Sequence, residues 1–425
     1  MIRILNEKDN SQVFNQLIKR TQFDFTTVNK TVEEVLNQVR NYKDEALKKY
    51  TLAFDGARLD TFLVTEQEID EAFKRIDPKL LTYLTQAKDN IEAYHKLQMI
   101  KEISIEKEGI SIKQRVRPIE SVGIYVPGGT ASYPSTVLMN AVPAKIAGVK
   151  NLIMTTPPNR DGKIKDVILV AAKLAGVDKI FKVGGAQAIG ALTYGTDQIP
   201  KVNKIVGPGN LYVTMAKKMV SGYVGIDLVA GPSEVLIIAD ESADPNEVAA
   251  DLLAQAEHDP YAAALLLTPS RDLANAVDLA IESQIKTLSR ASIIESSITN
   301  FGAIIITDSL TSACKLANEI APEHLELMVE NPLEYLDLID SAGSIFIGRF
   351  TPEPVGDYIA GPNHTLPTSG TAKFASPLGV YDFIKRSSVV CYTEKALNDS
   401  ALAIMGLAEA EGLSAHANAI KVRLK

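Results

Sequence analysis

The chain has 425 residues, of which 46% are hydrophobic and 23% charged, with a formal net charge of −8. Domains usually run to roughly 100–200 residues, so two or more are expected. The acidic balance argues against a surface built for nucleic-acid phosphates, no stretch reaches the ~20 apolar residues of a membrane span, and "MIRILNEKDNSQVFNQL" lacks the apolar region of a secretory signal, so a cytoplasmic protein is expected.

The first hundred residues read as helical. "TVEEVLNQVRNYKDEALKKYTLAFDG" carries apolar residues at helical spacing and closes on Gly56. "LLTYLTQAKDNIEAYHKLQ" is a second amphipathic helix, on which His95 is expected at the surface.

From Ile103 to about Gly348 short β-rich runs alternate with helical stretches. "VGIYVP", "NLIMTTP", "KIFKVGG", "NKIVGPG", "EVLIIAD", "AAALLLTP", "FGAIIITD" and "SIFIG" read as strands. "PSTVLMNAVPAKIAGV", "IKDVILVAAKLAGV", "AQAIGALTYG", "NLYVTMAKKMVSG" and "LANAVDLAIESQIKTL" read as helices. Such alternation means βαβ units and largely parallel sheets. The strands are too many for one small sheet, so two Rossmann-like sheets are expected. From Ser344 to Gly370 regular structure is expected largely to stop, and the tail from about Pro377 reads helical again. Cys314 and Cys391 are the only cysteines. They read as reduced thiols, so any metal site must draw on His, Asp, Glu or amide oxygen.

Four glycine turns close strands: "VPGGT", "VGGAQAIG", "VGPGN" and "AGPSE". Glycine lets backbone approach a ligand, and the helix that follows offers free N–H groups to phosphate. The G-x-G-x-x-G fingerprint is absent. The chain has five histidines. In "AQAEHDP", Gln255 and His258 share one helix face and offer an amide oxygen and an imidazole, a pair suited to Zn²⁺; a capped helix end with a surface histidine is the competing reading. In "APEHLELMV" the alternation Leu325, Leu327, Val329 suggests a buried strand with Glu323 and His324 at its start. A neutral His is a suitable base near neutrality, and a neighbouring carboxylate can handle a second proton. Asp357 and His364 fall in "GDYIAGPNH", and His416 in the tail.

The strings "RPIESVGIYVPGG", "KVGGAQAIGAL", "VGPGN", "AGPSEVLIIAD", "DLLAQAEH", "APEHLEL", "PVGDYIAGPNHTLPTSGTA" and "GLSAHANAIKVR" resemble the histidinol dehydrogenase family in sequence and order. The resemblance implies a zinc enzyme that uses NAD twice to oxidise L-histidinol through L-histidinaldehyde to L-histidine. It implies zinc ligands Gln255, His258, Asp357 and His416, the last from the partner subunit of a homodimer. It implies Glu323 and His324 as the catalytic pair and Tyr125, Gln187 and Asn210 as NAD contacts. Substrate contacts would be Ser233, His364 and Glu411, with His324 and the zinc ligands. The implied fold is two incomplete Rossmann-like domains, 126–233 and 21–125 with 234–378, plus an N-terminal extension (1–20) and a helical tail (379–425) swapped between subunits. Two other readings stay open: a related enzyme acting on another alcohol, and a zinc hydrolase with Glu323 as the base.

Overall fold

The computed structural model describes residues 2–7, 26–128, 132–229 and 231–424. Its strands, in chain order, are β1 (Arg3–Asn6), β2 (Ile103–Lys107), β3 (Ile110–Pro118), β4 (Ser121–Tyr125), β5 (Asn151–Thr156), β6 (Lys179–Lys182) and β7 (Lys204–Val206). They continue with β8 (Gly225–Ile226), β9 (Glu234–Ala239), β10 (Ala263–Thr268), β11 (Ala303–Ile306), β12 (His324–Met328), β13 (Ser344–Ile347) and β14 (Ile384–Tyr392).

Two of the three sheets are parallel. One runs β6-β5-β4-β7-β8 and the other β1-β11-β10-β9-β12-β13. Counted from its own first strand, each follows the order 3-2-1-4-5 of a Rossmann sheet without the sixth strand, the second having β1 added at its edge. The central strands "EVLIIA" (β9) and "AALLLT" (β10) are buried at every position. Helices cover both faces, so these strands are continuous apolar runs and not alternating ones. The expectation of two parallel α/β units therefore holds.

Their boundaries differ from those expected. Within 26–125, β4 and the helices of 26–96 belong to the five-stranded unit and not to the six-stranded sheet of 234–347. β4 lies at the centre of the five-stranded sheet between β5 and β7. The helix Thr26–Tyr50 buries Val32, Val35, Leu36 and Val39 in one core with Ala188, Ile189 and Leu192 of the helix Gly185–Tyr194. Gly190 lets the two come close, since a Cβ there would sit 3.2 Å from Val39. The helix Pro78–Lys96 likewise packs on Pro134–Ala147. These faces had no partner visible in sequence, and apolar area decides where they go. At the other end, Arg3–Asn6 is an edge strand of the six-stranded sheet, paired with β11; the rest of the expected extension, 8–20, lies outside the described residues.

The third sheet, β14-β3-β2, is antiparallel and was not expected. β14 pairs along its full length with β3, Ile384 opposite Pro118 and Tyr392 opposite Ile110. The tail is thus a strand followed by two helices, Glu394–Ala410 and Ser414–Lys421, and not helical throughout. Eight of the nine residues of β14 are exposed, so no apolar pattern marks it in the sequence. A short helix, Glu353–Tyr358, also interrupts the segment expected to be irregular.

Candidate active site

The helix Leu310–Ile320 ends on Ala321 in the left-handed conformation (φ 52°), and the chain drops through Pro322 and Glu323 into β12. Glu323 and His324 are both buried. His324 Nδ1 lies 3.0 Å from the Glu234 carbonyl oxygen. A carbonyl can only accept, so Nδ1 carries the proton and Nε2 is left with a free lone pair. That Nε2 is buried without a hydrogen-bond partner, 4.0 Å from Asp357 Oδ1. Glu323 Oε2 accepts from Glu234 N–H at 2.8 Å and lies 3.7 Å from His324 Nδ1. Burial pushes the Glu323 carboxyl up to about 8, against the opposing pull of His324.

Next to this pair, ligand atoms of His258, Glu353 and Asp357 lie within 4.8 Å of one another. Asp357 also lies 3.7 Å from His364 Nδ1. Burial lowers the pKa of both His258 and His364, which keeps them neutral and able to donate a lone pair. Gln255 is fully buried. Its amide oxygen faces the Glu353 carboxylate, acceptor against acceptor, which a cation between them would reconcile; turned over, it would instead donate to Glu353 Oε1 at 2.7 Å and accept from Glu234 N–H at 3.1 Å. Burial, then Asp357 and Asp251, hold the Glu353 carboxyl well above its usual range. Two carboxylates, an imidazole and an amide drawn together in this way are the donor set of a divalent metal such as zinc. Glu353 was missed in the sequence. Its position four residues before Asp357 on one helix was the available signal, since such residues share a face.

A cavity of about 980 Å³ opens at the carboxyl ends of the five-stranded sheet, with Tyr125, Gln187 and Asn210 in its lining. Gln187 is 1% exposed, and neither of its amide atoms has a partner. Tyr125 OH accepts from Gly185 N–H at 3.1 Å, and burial pushes it up to about 12. Asn210 Oδ1 caps the helix Leu211–Val220 through Tyr212 N–H, at 3.1 Å, and Val213 N–H, at 3.2 Å. A Cβ at Gly128 or Gly184 would run into Pro157. Two residues missed in the sequence hold the Gly207 turn: a buried Lys217–Asp227 ion pair grips its carbonyl and its N–H from either side. An orphaned buried amide, glycine-lined walls and two helix N-termini fit a dinucleotide.

Ser233 directly precedes β9, beside Glu234. His364 sits on a loop fixed to the other half of the molecule: Asn363 donates to Met139 O at 2.6 Å, and Asn90 to Ile359 O at 2.7 Å. His95 belongs to this clamp. It is fully buried, its Nδ1 is 2.8 Å from Ile91 O, and its Nε2 faces Asn363, so the surface position expected for it is corrected. Glu411 and His416 are not brought to the cluster within the chain. Both are exposed, on terminal helices that pack on each other.

The family model for histidinol dehydrogenase matches residues 18–424. A histidinol dehydrogenase of Clostridium acetobutylicum is 52% identical over 100% of this chain and 99% of its own. One of Bacillus cereus is 54% identical over 94% and 93%. The crystal structure of histidinol dehydrogenase from Elizabethkingia anophelis superposes with a TM-score of 0.93 at 42% identity, over 100% of this chain and 98% of that one.

Proposed function

The chain belongs to the histidinol dehydrogenase family, and from that premise we propose how its own residues carry the reaction. It is an oxidoreductase of histidine biosynthesis, converting L-histidinol through L-histidinaldehyde to L-histidine. Zinc would supply a Lewis acid that anchors the substrate, and NAD would supply the hydride acceptor for each oxidation.

Gln255, His258 and Asp357 would hold the metal, with the partner's His416 completing the set and Glu353 close by. Tyr125, Gln187 and Asn210 would hold NAD. Ser233, His364 and Glu411 contact the substrate, with Glu411 arriving on the same tail as His416. His324 Nε2 takes the hydroxyl proton in the first oxidation, while its Nδ1–H stays on the Glu234 carbonyl and keeps the ring aimed. Glu323, with Oε2 committed to Glu234 N–H, uses Oε1 to activate a water that adds to the aldehyde. His324, having released its first proton to solvent, then takes the proton of the hydrate. The observation that carries this reading is the free, buried Nε2 of His324 beside Asp357.

The tail supports a homodimer in which it reaches the other subunit. Leu402, Leu407 and Val422 are 82%, 69% and 68% exposed on it, a large apolar area to leave in water. Counting two NADH per histidinol tests the reaction: one would mean oxidation of another kind, and none a hydrolase. The swap is tested by mixing His416→Asn chains with His258→Asn chains. One whole site forms per mixed dimer, so random pairing restores about a quarter of wild-type activity. No restoration would mean that His416 serves its own chain.

A further inference from the structure

Asp55 ends a π-helical turn, Thr51–Asp55, that continues the long helix Thr26–Tyr50, and Gly56 follows it with φ 70°. It lies outside the βαβ units, yet it lines the large cavity beside Phe54, Asn159 and Arg160. Its Oδ2 is buried with no hydrogen-bond partner. Burial pushes its carboxyl up to about 6, with no neighbouring cation drawing it back. Folding gives no reason for a carboxylate here: the last turn of a helix is the negative end of its dipole, where an acid is unfavourable.

Its neighbour Phe54 is 60% exposed, with its ring stacked on Tyr50 at 5.4 Å. A flat aromatic face beside an unsatisfied carboxylate suits a nucleoside, the ring for the base and the oxygens for ribose hydroxyls. Arg160, Lys163 and Lys165 line the same cavity. The pyrophosphate of any dinucleotide accounts for such cations, so they do not distinguish one dinucleotide from another. The carboxylate does. A ribose 2′-hydroxyl donates to it, whereas a 2′-phosphate would be repelled.

We propose that Asp55 makes this enzyme select NAD over NADP, by accepting hydrogen bonds from the hydroxyls of the adenosine ribose. The proposal rests on the cavity being the dinucleotide site. Asp55→Asn keeps the size of the side chain and removes its charge. Steady-state kinetics on the zinc-loaded full chain, with histidinol saturating, give kcat/KM for each dinucleotide. The NADP:NAD ratio is expected to rise about tenfold or more, the worth of a hydrogen bond to a charged group. An NAD analogue lacking the adenosine 2′-hydroxyl reads the same contact without any variant: wild type should lose about tenfold, and Asp55→Asn much less. An unmoved ratio, or an analogue penalised equally in both proteins, overturns the proposal. Gln187→Ala separates the two layers. If it leaves the KM for NAD unmoved, the cavity reading falls and takes the proposal with it. If it raises that KM while Asp55→Asn leaves the ratio unmoved, only the proposal falls.

Discussion

In the five-stranded sheet, β4 and β7 deliver Tyr125 and Asn210 at or just beyond their carboxyl ends. In the six-stranded sheet, β9 and β12 deliver Ser233, Glu323 and His324 at or just before their amino ends. The strand order is the same, but the edges used are opposite. Helices begin at a carboxyl edge, and the helices Gly185–Tyr194 and Leu211–Val220 open on the cavity with their positive ends, which suits phosphate. Helices finish at an amino edge, and the helix Pro245–Ala256 carries Gln255 in its last turn with His258 two residues beyond its negative end, beside Glu353 and Asp357. One architecture thus turns positive helix ends, suited to an anion, towards one edge and a negative helix end, suited to a cation, towards the other.

The sharpest way to break this comparison is at the amino edge. His324→Asn should lower kcat by about a thousandfold in both half-reactions, the scale of a lost general base. Metal analysis should find zinc retained, because the proposed ligand set leaves His324 out; zinc loss would show that the base and metal roles are not separate.

Glu323→Gln should cost about a hundredfold in oxidation of the aldehyde and far less in oxidation of the alcohol. The carboxyl lies near 8, protonated and unable to act as a base below that pH and ionised above it. Aldehyde oxidation by the wild type should therefore rise as pH climbs through about 8, and Glu323→Gln should lack that rise. Rapid-mixing assays started from each substrate decide this, and equal losses in both would remove Glu323 from water activation.

Glu353→Gln should weaken zinc binding about 10–100-fold, as changes around metal ligands do. Titration with a chromophoric chelator reads this without turnover, and unchanged affinity would place Glu353 outside the cation site.

At the carboxyl edge the effects should be smaller and confined to the dinucleotide. Gln187→Ala should raise the KM for NAD about tenfold, with zinc affinity unmoved. If it disturbed zinc instead, the two edges would not be independent sites.

Much of this was legible in the sequence, because local patterns carry it. The apolar runs of β9 to β12 and the helices between them follow from periodicity and length, and Glu323-His324 stands at the head of a strand whose alternation is plain. Gln255 and His258 share a helix end for the same reason. Tertiary structure decided what depends on partners distant in the chain. It sent the helices of residues 26–96 to the five-stranded sheet, since an amphipathic face records that it must be buried but not against what. It paired exposed β14 with β3 through backbone hydrogen bonds, which leave no mark on side-chain composition. It buried His95 against Asn363, 268 residues away, and brought Glu353 into the cluster with His258. It also gave His324 its tautomer, because the carbonyl that accepts from Nδ1 belongs to Glu234, on a neighbouring strand 90 residues earlier. Periodicity reports on near neighbours, whereas the chemistry of a buried group is set by whatever the fold places within hydrogen-bond reach of it.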